Sequence, residues 1–384
     1  MSQGTDRFVW ANHKLIRLPS SLKEVLTNPL TRRLPPRVAL EALFPPGLSA
    51  LDRDVTIGEF ISKKFGRDAK LLVSAMVAGI FAGDVDSLSI KSCFPDMVRL
   101  NQAGNGSLVR GLVLPAKSGT PPDASPEEVS PLVKASGITF KDGMGRIAQR
   151  LEEECRKSNV TMMSSSAVQK LQRDGSRWST QVQSGESINA DIVVSTLSPR
   201  GLADILSPQS IPELEYLKTR IGKVDVAVVN LAYDSHDVSL PPKGFGHLVA
   251  DRAVQAETGC LGVIYDSNAF PQQQPDHVAV VSVMMGGAHA PWVSTKSQSE
   301  LVEMAKRAML DHLNVGVKPL ETSAVLHRNC IPQYKVGHFD AAQATRKRLA
   351  DENLIMYGTG VLGAGIADAV GGALIDIETK SWAA

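Results

Sequence analysis

The residues best suited to binding a cofactor lie near the C-terminus, in positions 353–370. Residues 354–357 form a short apolar run typical of a strand, and four glycines follow within positions 358–365. From Ile366 onward the apolar spacing is typical of a helix. The pattern predicts a strand, a glycine-rich turn and a helix N-terminus, whose unpaired N–H groups and dipole favour an electron-rich ligand.

The spacing of Gly358, Gly360 and Gly363 matches the G-x-G-x-x-G motif of dinucleotide-binding proteins. In those proteins the motif belongs to a strand, helix, strand unit of about 30 residues, with an acidic residue about 20 positions later. The sequence ends at Ala384, too soon for the returning strand. The motif therefore does not predict an autonomous Rossmann domain here, and a tight turn without a ligand is the alternative.

Composition restricts the class of protein. A chain of 384 residues with 43% hydrophobic and 21% charged residues predicts a globular protein of one large domain or two to three ordinary ones. The formal net charge of +1 argues against a nucleic-acid partner. The cysteines at 93, 155, 260 and 330 form no C-x-x-C pair, so neither a disulfide framework nor a metal site is predicted. The longest uncharged apolar run, residues 71–83, is shorter than the roughly 18 residues that would suggest a membrane span, so any membrane contact is predicted to be peripheral.

The first hundred residues predict a mostly helical, apolar unit. Prolines between residues 18 and 46 favour short helices and turns. Thr56 and Glu59 have the spacing of a capping box, Gly66 is placed to end that helix, and Asp68 to open the next. This unit could serve plain packing or face a lipid or substrate. Residues 115–136, which contain five prolines, predict a surface loop.

The rest of the chain alternates between strand and helix patterns. A helix after Gly143 is followed by strand-type runs that predict a β meander and a buried strand, at residues 160–163, 167–172, 178–182 and 190–196. Further strand patterns predict a second, larger antiparallel or mixed sheet, at residues 224–233, 260–265, 278–285 and 323–330. Ser297 and Glu300 predict a capped helix within this part. The overall prediction is an α/β (α+β) chain that visits two sheets alternately.

Common catalytic motifs are absent from the sequence. It contains no G-x-S-x-G elbow, no Walker loop and no H-E-x-x-H. The histidines are scattered, and His247, His327 and His338 are interpreted as structural. This scarcity favours an enzyme whose cofactor supplies the chemistry, so no catalytic residue is assigned.

Six strings of residues together resemble the protoporphyrinogen oxidase family of the eukaryotic, FAD-containing type, within the flavin amine oxidase superfamily. They are GIFAGDVDSLSIKSCFP at 79–95, VDVAVVNLAY at 224–233, GFGHLV at 244–249, LGVIYDSNAFP at 261–271, VMMGG at 283–287 and NCIPQYKVGH at 329–338. The likeness runs from about Arg7 to the end of the chain. It implies an FAD-linked reductase, p-hydroxybenzoate hydroxylase-like architecture with two sheets and a helical membrane-associated domain.

The resemblance also implies a division into domains. The implied segments are 1–16 as a strand segment of the substrate domain, 17–114 as the helical membrane-associated domain, 115–138 as a loop, 139–200 as the meander part of the FAD-binding domain, 201–338 as the substrate-binding domain and 339–384 as the C-terminal part of the FAD-binding domain.

The implied activity is FAD-dependent oxidation of protoporphyrinogen IX to protoporphyrin IX in haem biosynthesis, with molecular oxygen reduced to hydrogen peroxide and no obligatory protein base. The implied location is the intermembrane-space side of the mitochondrial inner membrane, as a peripheral protein that can form a homodimer and binds no nucleic acid. Two alternatives are open: another flavin amine oxidase, and a flavin-free variant that binds porphyrin or a full-length subunit.

The resemblance places the cofactor against the backbone N–H groups of Ala364, Gly365 and Ile366, with Val168 near the adenine end. Arg7 matches the arginine that holds a substrate propionate, a role suited to its forked guanidinium. The remaining substrate-binding positions are Gly79, Phe245, Gly246, Leu248, Met284 and Ile331. Alternatively, Val168 and Ile331 are simply core residues and Arg7 is a solvated surface residue.

The family also carries an N-terminal G-x-G-x-x-G unit that holds the FAD pyrophosphate, and this sequence begins after it. The first hundred residues contain no substitute for that motif. We therefore expect a truncated product or an incomplete gene model with impaired FAD binding.

Overall fold

The computed structural model describes residues 6–45, 53–114, 138–140, 142–206, 211–241 and 243–379. The loop expected at 115–136 lies outside these residues. Among the helices that are described, none combines the length and the apolar character needed to cross a bilayer.

The strands of this part of the chain are β1 (Asp6–Ala11), β2 (Lys14–Arg17), β3 (Val168–Asp174), β4 (Arg177–Val182), β5 (Ser187–Ala190), β6 (Val193–Ser195), β7 (Ile221–Asp234), β8 (Gly244–Val249), β9 (Cys260–Ile264), β10 (Val278–Gly286), β11 (Glu321–Tyr334) and β12 (Leu354–Met356).

The α-helices are α1 (Leu22–Thr27), α2 (Leu34–Leu43), α3 (Ile57–Phe65), α4 (Arg67–Phe81), α5 (Ile90–Cys93), α6 (Pro95–Ala103), α7 (Leu108–Val113), α8 (Gly145–Lys157), α9 (Pro199–Ile205), α10 (Pro212–Arg220), α11 (Arg252–Thr258), α12 (Asp266–Ala269), α13 (Gln298–Leu313), α14 (His338–Ala350) and α15 (Ile366–Thr379). Two short 3₁₀ helices span Pro271–Gln273 and Pro291–Thr295.

The largest sheet has seven strands in the order β11, β7, β10, β9, β8, β1, β2. Its neighbouring strands are antiparallel except for β1 and β8. Side chains alternate across the sheet, so Val281 and Val283 project to one face, which we call the back face, and pack in one core with Leu301 and Met309 of α13. The opposite face, the front face, carries Met284 and is partly covered by α4.

Small residues allow α4 to approach the front face closely. Ala78 and Ala82 are buried in one cluster with Met284. At Gly79 a Cβ atom would lie only 2.6 Å from Leu248 Cδ2. A side chain at position 79 would displace the Leu248 side chain, so the present packing of Leu248 under α4 depends on this glycine.

Two smaller sheets form a second packed region. β3, β4 and β5 make an antiparallel meander, whereas β6 and β12 form a parallel pair. One core joins them through Leu171 and Trp178 of the meander, Leu354 of β12 and Val361 of the glycine-rich turn. The expected meander and the strand after it are present as two separate sheets, but that strand, β6, is not buried, because Val194 is exposed. The strand predicted at 160–163 is wrong, because these exposed residues pair with no strand of the described structure.

The helix ends expected at Thr56, Gly66 and Ser297 are confirmed, whereas α4 begins at Arg67 with Gly66 as its N-cap and not at Asp68. Thr56 Oγ1 accepts a hydrogen bond from the Glu59 N–H, and Gly66 ends α3 with a φ of 85°. Ser297 and Glu300 form a reciprocal capping box at the start of α13. Local side-chain chemistry therefore determines where these helices begin and end.

A buried ion pair holds the helices near the N-terminus together. Lys64 Nζ lies 3.0 Å from Glu41 Oε1 and donates to the Gly106 carbonyl at 2.7 Å. Glu41 also accepts hydrogen bonds from Ser107 Oγ and the Leu108 N–H, both at 2.7 Å. Burial would raise the pKa of Glu41, but these hydrogen bonds and Lys64 outweigh it and lower the pKa. One carboxylate thus joins α2, α3 and the start of α7.

We expect Glu41→Gln to lower the free energy of unfolding by about 3 kcal/mol or more at pH 7, because Lys64 would remain buried without a counter-charge. Since the pKa of Glu41 is lowered in the folded state, its contribution is present above 4.5, the ordinary glutamate value, and is lost as the pH falls through the folded pKa. Urea unfolding of both proteins at neutral and acid pH measures this.

The control for that experiment is Glu303→Gln, which removes an exposed ion pair with Lys306. This variant should lower the free energy of unfolding by less than about 1 kcal/mol. Equal unfolding midpoints for the two variants would show that the Glu41 carboxylate contributes nothing beyond a surface pair.

Candidate functional site

Two rows of cross-strand neighbours cross the front face of the large sheet. Directly opposed residues in neighbouring strands project to the same face, so each row is a continuous strip of surface. The first, which we call the polar row, is Ser323, Asn230, Ser282, Ile264, Gly246 and Arg7. The second, the apolar row, is Val228, Met284, Gly262, Leu248 and Val9.

The floor of this face is flat at its centre. A Cβ atom at Gly246 would lie 2.3 Å from the Val263 carbonyl oxygen, and one at Gly262 would lie 2.6 Å from the His247 carbonyl oxygen. Glycine is therefore required at both positions, and no side chain rises from the backbone there. Both glycines are buried, and Leu248 Cδ2 would lie 3.1 Å from a Cβ atom at Gly262, so the Leu248 side chain covers that part of the floor.

The structure brings several of the predicted substrate-binding residues together around that floor. We call Met284, Ile331, Leu248 and Phe245 the wall of the site. Met284 and Ile331 pack in one cluster with Ala78 and Ala82 of α4. Leu248 contacts the predicted site residue Gly79. These side chains are partly buried, so each can be both a core neighbour and a wall of the site.

Arg7 lies at one end of the polar row. Its guanidinium stacks on the predicted wall residue Phe245, with Cζ 3.9 Å from the ring centroid. Phe245 meets Phe270 edge to face at 6.3 Å. Desolvation lowers the pKa of Arg7, but an arginine remains charged at neutral pH. Among the described residues no ion pair involves Arg7, so its exposed guanidinium can bind an anionic ligand.

Of the three histidines interpreted as structural, His247 and His338 are buried, whereas His327 is exposed on β11, opposite Val226 of the front face. His247 is buried on the back side of β8, where its ring hydrogen-bonds Tyr265 Oη at 2.7 Å and His312 Nδ1 at 2.9 Å. Burial, with the neighbouring His312, lowers the pKa of His247 to about 3. His338 stacks on the Tyr334 ring, and burial lowers its pKa to about 4. Both rings are neutral packing residues at physiological pH.

The glycine-rich turn follows β12 at the edge where the two parallel strands end. Gly358 and Gly363 have φ values of 97° and 135°, which side chains rarely tolerate. At Gly360 a Cβ atom would lie 2.4 Å from Pro199 Cδ, in the segment after β6. Ligands of parallel sheets bind beyond the carboxyl ends of the strands, which is where this turn lies.

Ala364, Gly365 and Ile366 form the start of α15. Ala364 packs against the helical core that contains Phe81, whereas Ile366 is 62% exposed. The Gly365 N–H lies 3.3 Å from Asp368 Oδ2. The same carboxylate would lie 2.7 Å from a Cβ atom at Gly363, so this acidic side chain fills the space beside the helix start, and the exposed Ile366 is the part that remains open to a flavin ring.

The other predicted cofactor residue, Val168, opens β3. It is half-buried and pairs with Val182 of β4. The core shared by the meander, β12 and Val361 connects this strand to the glycine-rich turn. Val168 therefore lies in the strand whose Leu171 packs in one core with Val361 of the glycine-rich turn, and its role at the adenine end of the cofactor stays a prediction.

Tyr334 links the glycine-rich turn to the large sheet. Its hydroxyl donates a short hydrogen bond to the Thr359 carbonyl oxygen. The ring is buried between His338 and Phe81, and burial raises the pKa of the hydroxyl, which stays protonated and able to donate. The end of β11 thus fixes the position of the turn.

Sequence reasoning missed a polar group beside the floor. Ser282 Oγ donates to Asp266 Oδ2 at 2.8 Å, and Asn230 lies on the other side of Ser282. The signal was present, because Asp266 follows directly on a strand in the string LGVIYDSNAFP. The sequence alone does not reveal the partner Ser282, because Ser282 comes next to Asp266 only through the pairing of β9 with β10.

Comparison with known proteins places the chain in a family. The family model described as flavin containing amine oxidoreductase matches residues 3–373. The chain belongs to this family. Family membership confirms the predictions of an FAD-dependent oxidoreductase and of a mixed α/β flavin amine oxidase fold. The domain boundaries and the roles of individual site residues stay predictions.

Three similar proteins refine the comparison. Protoporphyrinogen oxidase from Homo sapiens is 31% identical over 379 residues, which cover 94% of this chain and 76% of that protein. Coproporphyrinogen III oxidase from Bacillus subtilis (strain 168) is 25% identical over 337 residues, 87% of this chain and 68% of that protein. A solved structure from Exiguobacterium sp. 255-15, provisionally named a protoporphyrinogen oxidase, superposes with a TM-score of 0.75 at 20% identity and covers 98% of this chain and 80% of that chain.

We expect Tyr334→Phe to weaken FAD binding by about fivefold, because the loss of one buried hydrogen bond costs on the order of 1 kcal/mol and frees the glycine-rich turn. Titration of flavin fluorescence measures the dissociation constant. Tyr216→Phe is the control, since Tyr216 is exposed and stacks only on Arg220. Equal dissociation constants for the two variants would show that the Tyr334 hydroxyl does not position the turn.

Proposed function

We propose that the chain oxidises protoporphyrinogen IX to protoporphyrin IX in haem biosynthesis, with molecular oxygen as the final electron acceptor. The observation that supports this is the set of half-buried apolar side chains, Met284, Leu248 and Phe245, beside the exposed Arg7 on the sheet face that α4 partly covers. The 31% identity to protoporphyrinogen oxidase supports the same substrate. Homodimer formation is an additional prediction.

The residues of the chain bind and orient the substrate. FAD, held by Ala364, Gly365 and Ile366, supplies an acceptor for hydride when bound. Met284 and Leu248 would contact the faces of the macrocycle, and the apolar row excludes water from it. Arg7 would form charge-assisted hydrogen bonds with a propionate and so fix how the ring is turned.

Coproporphyrinogen III is the second candidate substrate, because the Bacillus subtilis relative is a coproporphyrinogen III oxidase. That substrate carries carboxylates where protoporphyrinogen carries apolar vinyl groups. The apolar row favours the vinyl groups, since a carboxylate buried there without a cation would be costly.

The direct test supplies the FAD-loaded chain with each porphyrinogen in air and records porphyrin fluorescence and oxygen consumption. We expect kcat/KM for protoporphyrinogen to exceed that for coproporphyrinogen by at least about tenfold, which corresponds to about 1.4 kcal/mol. The reverse order would assign the chain to coproporphyrinogen. Lack of oxidation of both would refute the proposal.

We expect Arg7→Ala to raise KM for protoporphyrinogen by at least about tenfold with little change in kcat, since hydrogen bonds to a charged partner contribute about 1.5–3 kcal/mol. Arg7→Lys keeps the charge but loses the forked geometry, so its KM should lie between those of the wild type and Arg7→Ala. Arg328→Ala, on the far edge strand β11, is the control. An unchanged KM for Arg7→Ala would show that this arginine is a surface residue.

An exposed apolar patch supports peripheral membrane contact. Leu43 and Phe44 at the end of α2 are 66% and 72% exposed, and Leu112 and Val113 in α7 are 64% and 81% exposed. Arg110 joins the two helices by donating to the Ala42 and Leu43 carbonyls. We propose that this patch inserts into the surface of a bilayer, on the intermembrane-space side of the mitochondrial inner membrane.

We expect the double variant Phe44→Ser, Val113→Ser to lower the partition coefficient onto vesicles of phosphatidylcholine and cardiolipin by at least about tenfold, because each apolar side chain contributes about 1.5–3 kcal/mol when buried. Co-sedimentation with the vesicles measures it. The matched control, Leu320→Ser with Val325→Ser, alters exposed apolar residues at the far edge of the sheet. If the partition coefficient falls equally in both double variants, the patch has no specific role in membrane binding.

A further inference from the structure

A carboxylate beside the floor has no role in the function proposed above. Asp266 begins α12, separated from the end of β9 by one residue, and accepts the hydrogen bond from Ser282 Oγ at 2.8 Å. Ser282 lies in the polar row between Asn230 and Ile264. The hydrogen bond therefore places the carboxylate at the front face of the sheet, on the side where the substrate is proposed to bind.

The distances along the sheet suit a macrocycle. Ser282 and Met284 are two residues apart on β10, so their side chains project to the same face about 7 Å apart. Arg7 lies three strands from Ser282 in the same row, which is about 14 Å at ordinary strand spacing. A tetrapyrrole that rests on Met284 with a propionate at Arg7 would bring its ring nitrogens close to Asp266.

The electrostatic setting of Asp266 suits a proton acceptor. Burial raises its pKa, and the hydrogen bond from Ser282 lowers it in part. In the described part of the chain, no charged side chain adds to either effect. If the carboxylate only held α12 to β10 through a hydrogen bond, an amide could replace it without loss of activity. If it accepts a proton during catalysis, an amide could not.

We propose that Asp266 is a catalytic residue that accepts the proton of a pyrrole N–H, and that Ser282 is the positioning residue that orients its carboxylate. The inference rests on the proposed function. When hydride leaves a bridging methylene carbon for the flavin, the adjacent pyrrole becomes cationic and its N–H acidic. The N–H bond breaks, its electron pair completes the new double bond, and the proton passes to the Asp266 carboxylate and then to water. Each round removes one hydride and one proton.

The first test compares the kinetics of two variants of the FAD-loaded chain. Asp266→Asn keeps the shape and can still accept from Ser282, but it cannot take a proton, so kcat should fall by about 100-fold with KM changed by less than about threefold. The fall of wild-type kcat at low pH, caused by protonation of Asp266, should disappear. Ser282→Ala should move that fall to higher pH, because the carboxylate loses the hydrogen bond that stabilises its charged form.

The matched control is Asp276→Asn, which makes the same chemical change in an exposed turn before β10. Its kcat and its pH profile should equal those of the wild type. A kcat for Asp266→Asn within about threefold of the wild type, with the same pH profile, would overturn the proposal. The proposal would also be overturned if Asp266→Asn and Ser282→Ala lost kcat and thermal stability to the same extent and kept the wild-type pH profile. That result would mean that the two side chains only stabilise the fold.

The second test needs no turnover. Bound protoporphyrin IX changes its visible bands when a ring nitrogen takes up a proton, and a carboxylate facing that nitrogen stabilises the protonated form. The midpoint of this change should lie about 1 pH unit or more higher in the wild type than in Asp266→Asn. Equal midpoints would overturn the proposal. A wild type that cannot oxidise porphyrinogens would refute the proposed function, and a midpoint difference would still place Asp266 at the ring nitrogens.

Discussion

The close approach of α4 to the seven-stranded sheet is the constraint on which the site depends. Gly79 packs directly against the Leu248 side chain, and Ala78 and Ala82 lie in the interface beside it. The Ala82 carbonyl accepts the Ala288 N–H at 2.8 Å, which secures the end of the helix to the loop after β10. This backbone hydrogen bond fixes the end of α4 relative to β10, whereas the contact at Gly79 is with the side chain of Leu248. The open part of the front face, near Arg7, is what remains for a ligand.

The end of β11 transmits that constraint to the glycine-rich turn. Successive residues of a strand point to opposite faces, so Gln333 and Tyr334 reach in opposite directions. Gln333 Nε2 donates to the Phe81 carbonyl at 2.7 Å, at the end of α4, and Tyr334 donates to Thr359 in the turn. Two adjacent side chains thus hold the substrate wall and the proposed flavin contact in one arrangement. Hydride transfer requires such precision, since small displacements of reacting groups are costly.

The local parts of this arrangement were predictable from the sequence, and the non-local parts were not. Thr56, Gly66 and Ser297 determine helix ends through contacts within a few residues, so the sequence pattern is sufficient. The polar row depends instead on the register of strands that are distant in sequence, and no periodicity specifies that register. The run 160–163 shows the converse, because alternating apolar residues form no strand without a partner. The resemblance supplied the wall residues, but it gave no physical reason to look at Asp266.

The charges of Arg7 and Asp266 have opposite effects on the oxidised substrate, and their distances from it determine which effect is larger. Loss of hydride leaves positive charge on the macrocycle, which a carboxylate stabilises and a guanidinium destabilises. At an effective dielectric constant of 20, two unit charges interact by about 4 kcal/mol at 4 Å and by about 1 kcal/mol at 14 Å. A carboxylate near the ring nitrogens therefore outweighs an arginine at the end of a propionate, where the propionate itself neutralises most of the arginine's field. The sheet separates the two roles by three strands, so one cation can bind the substrate without opposing the chemistry at its centre.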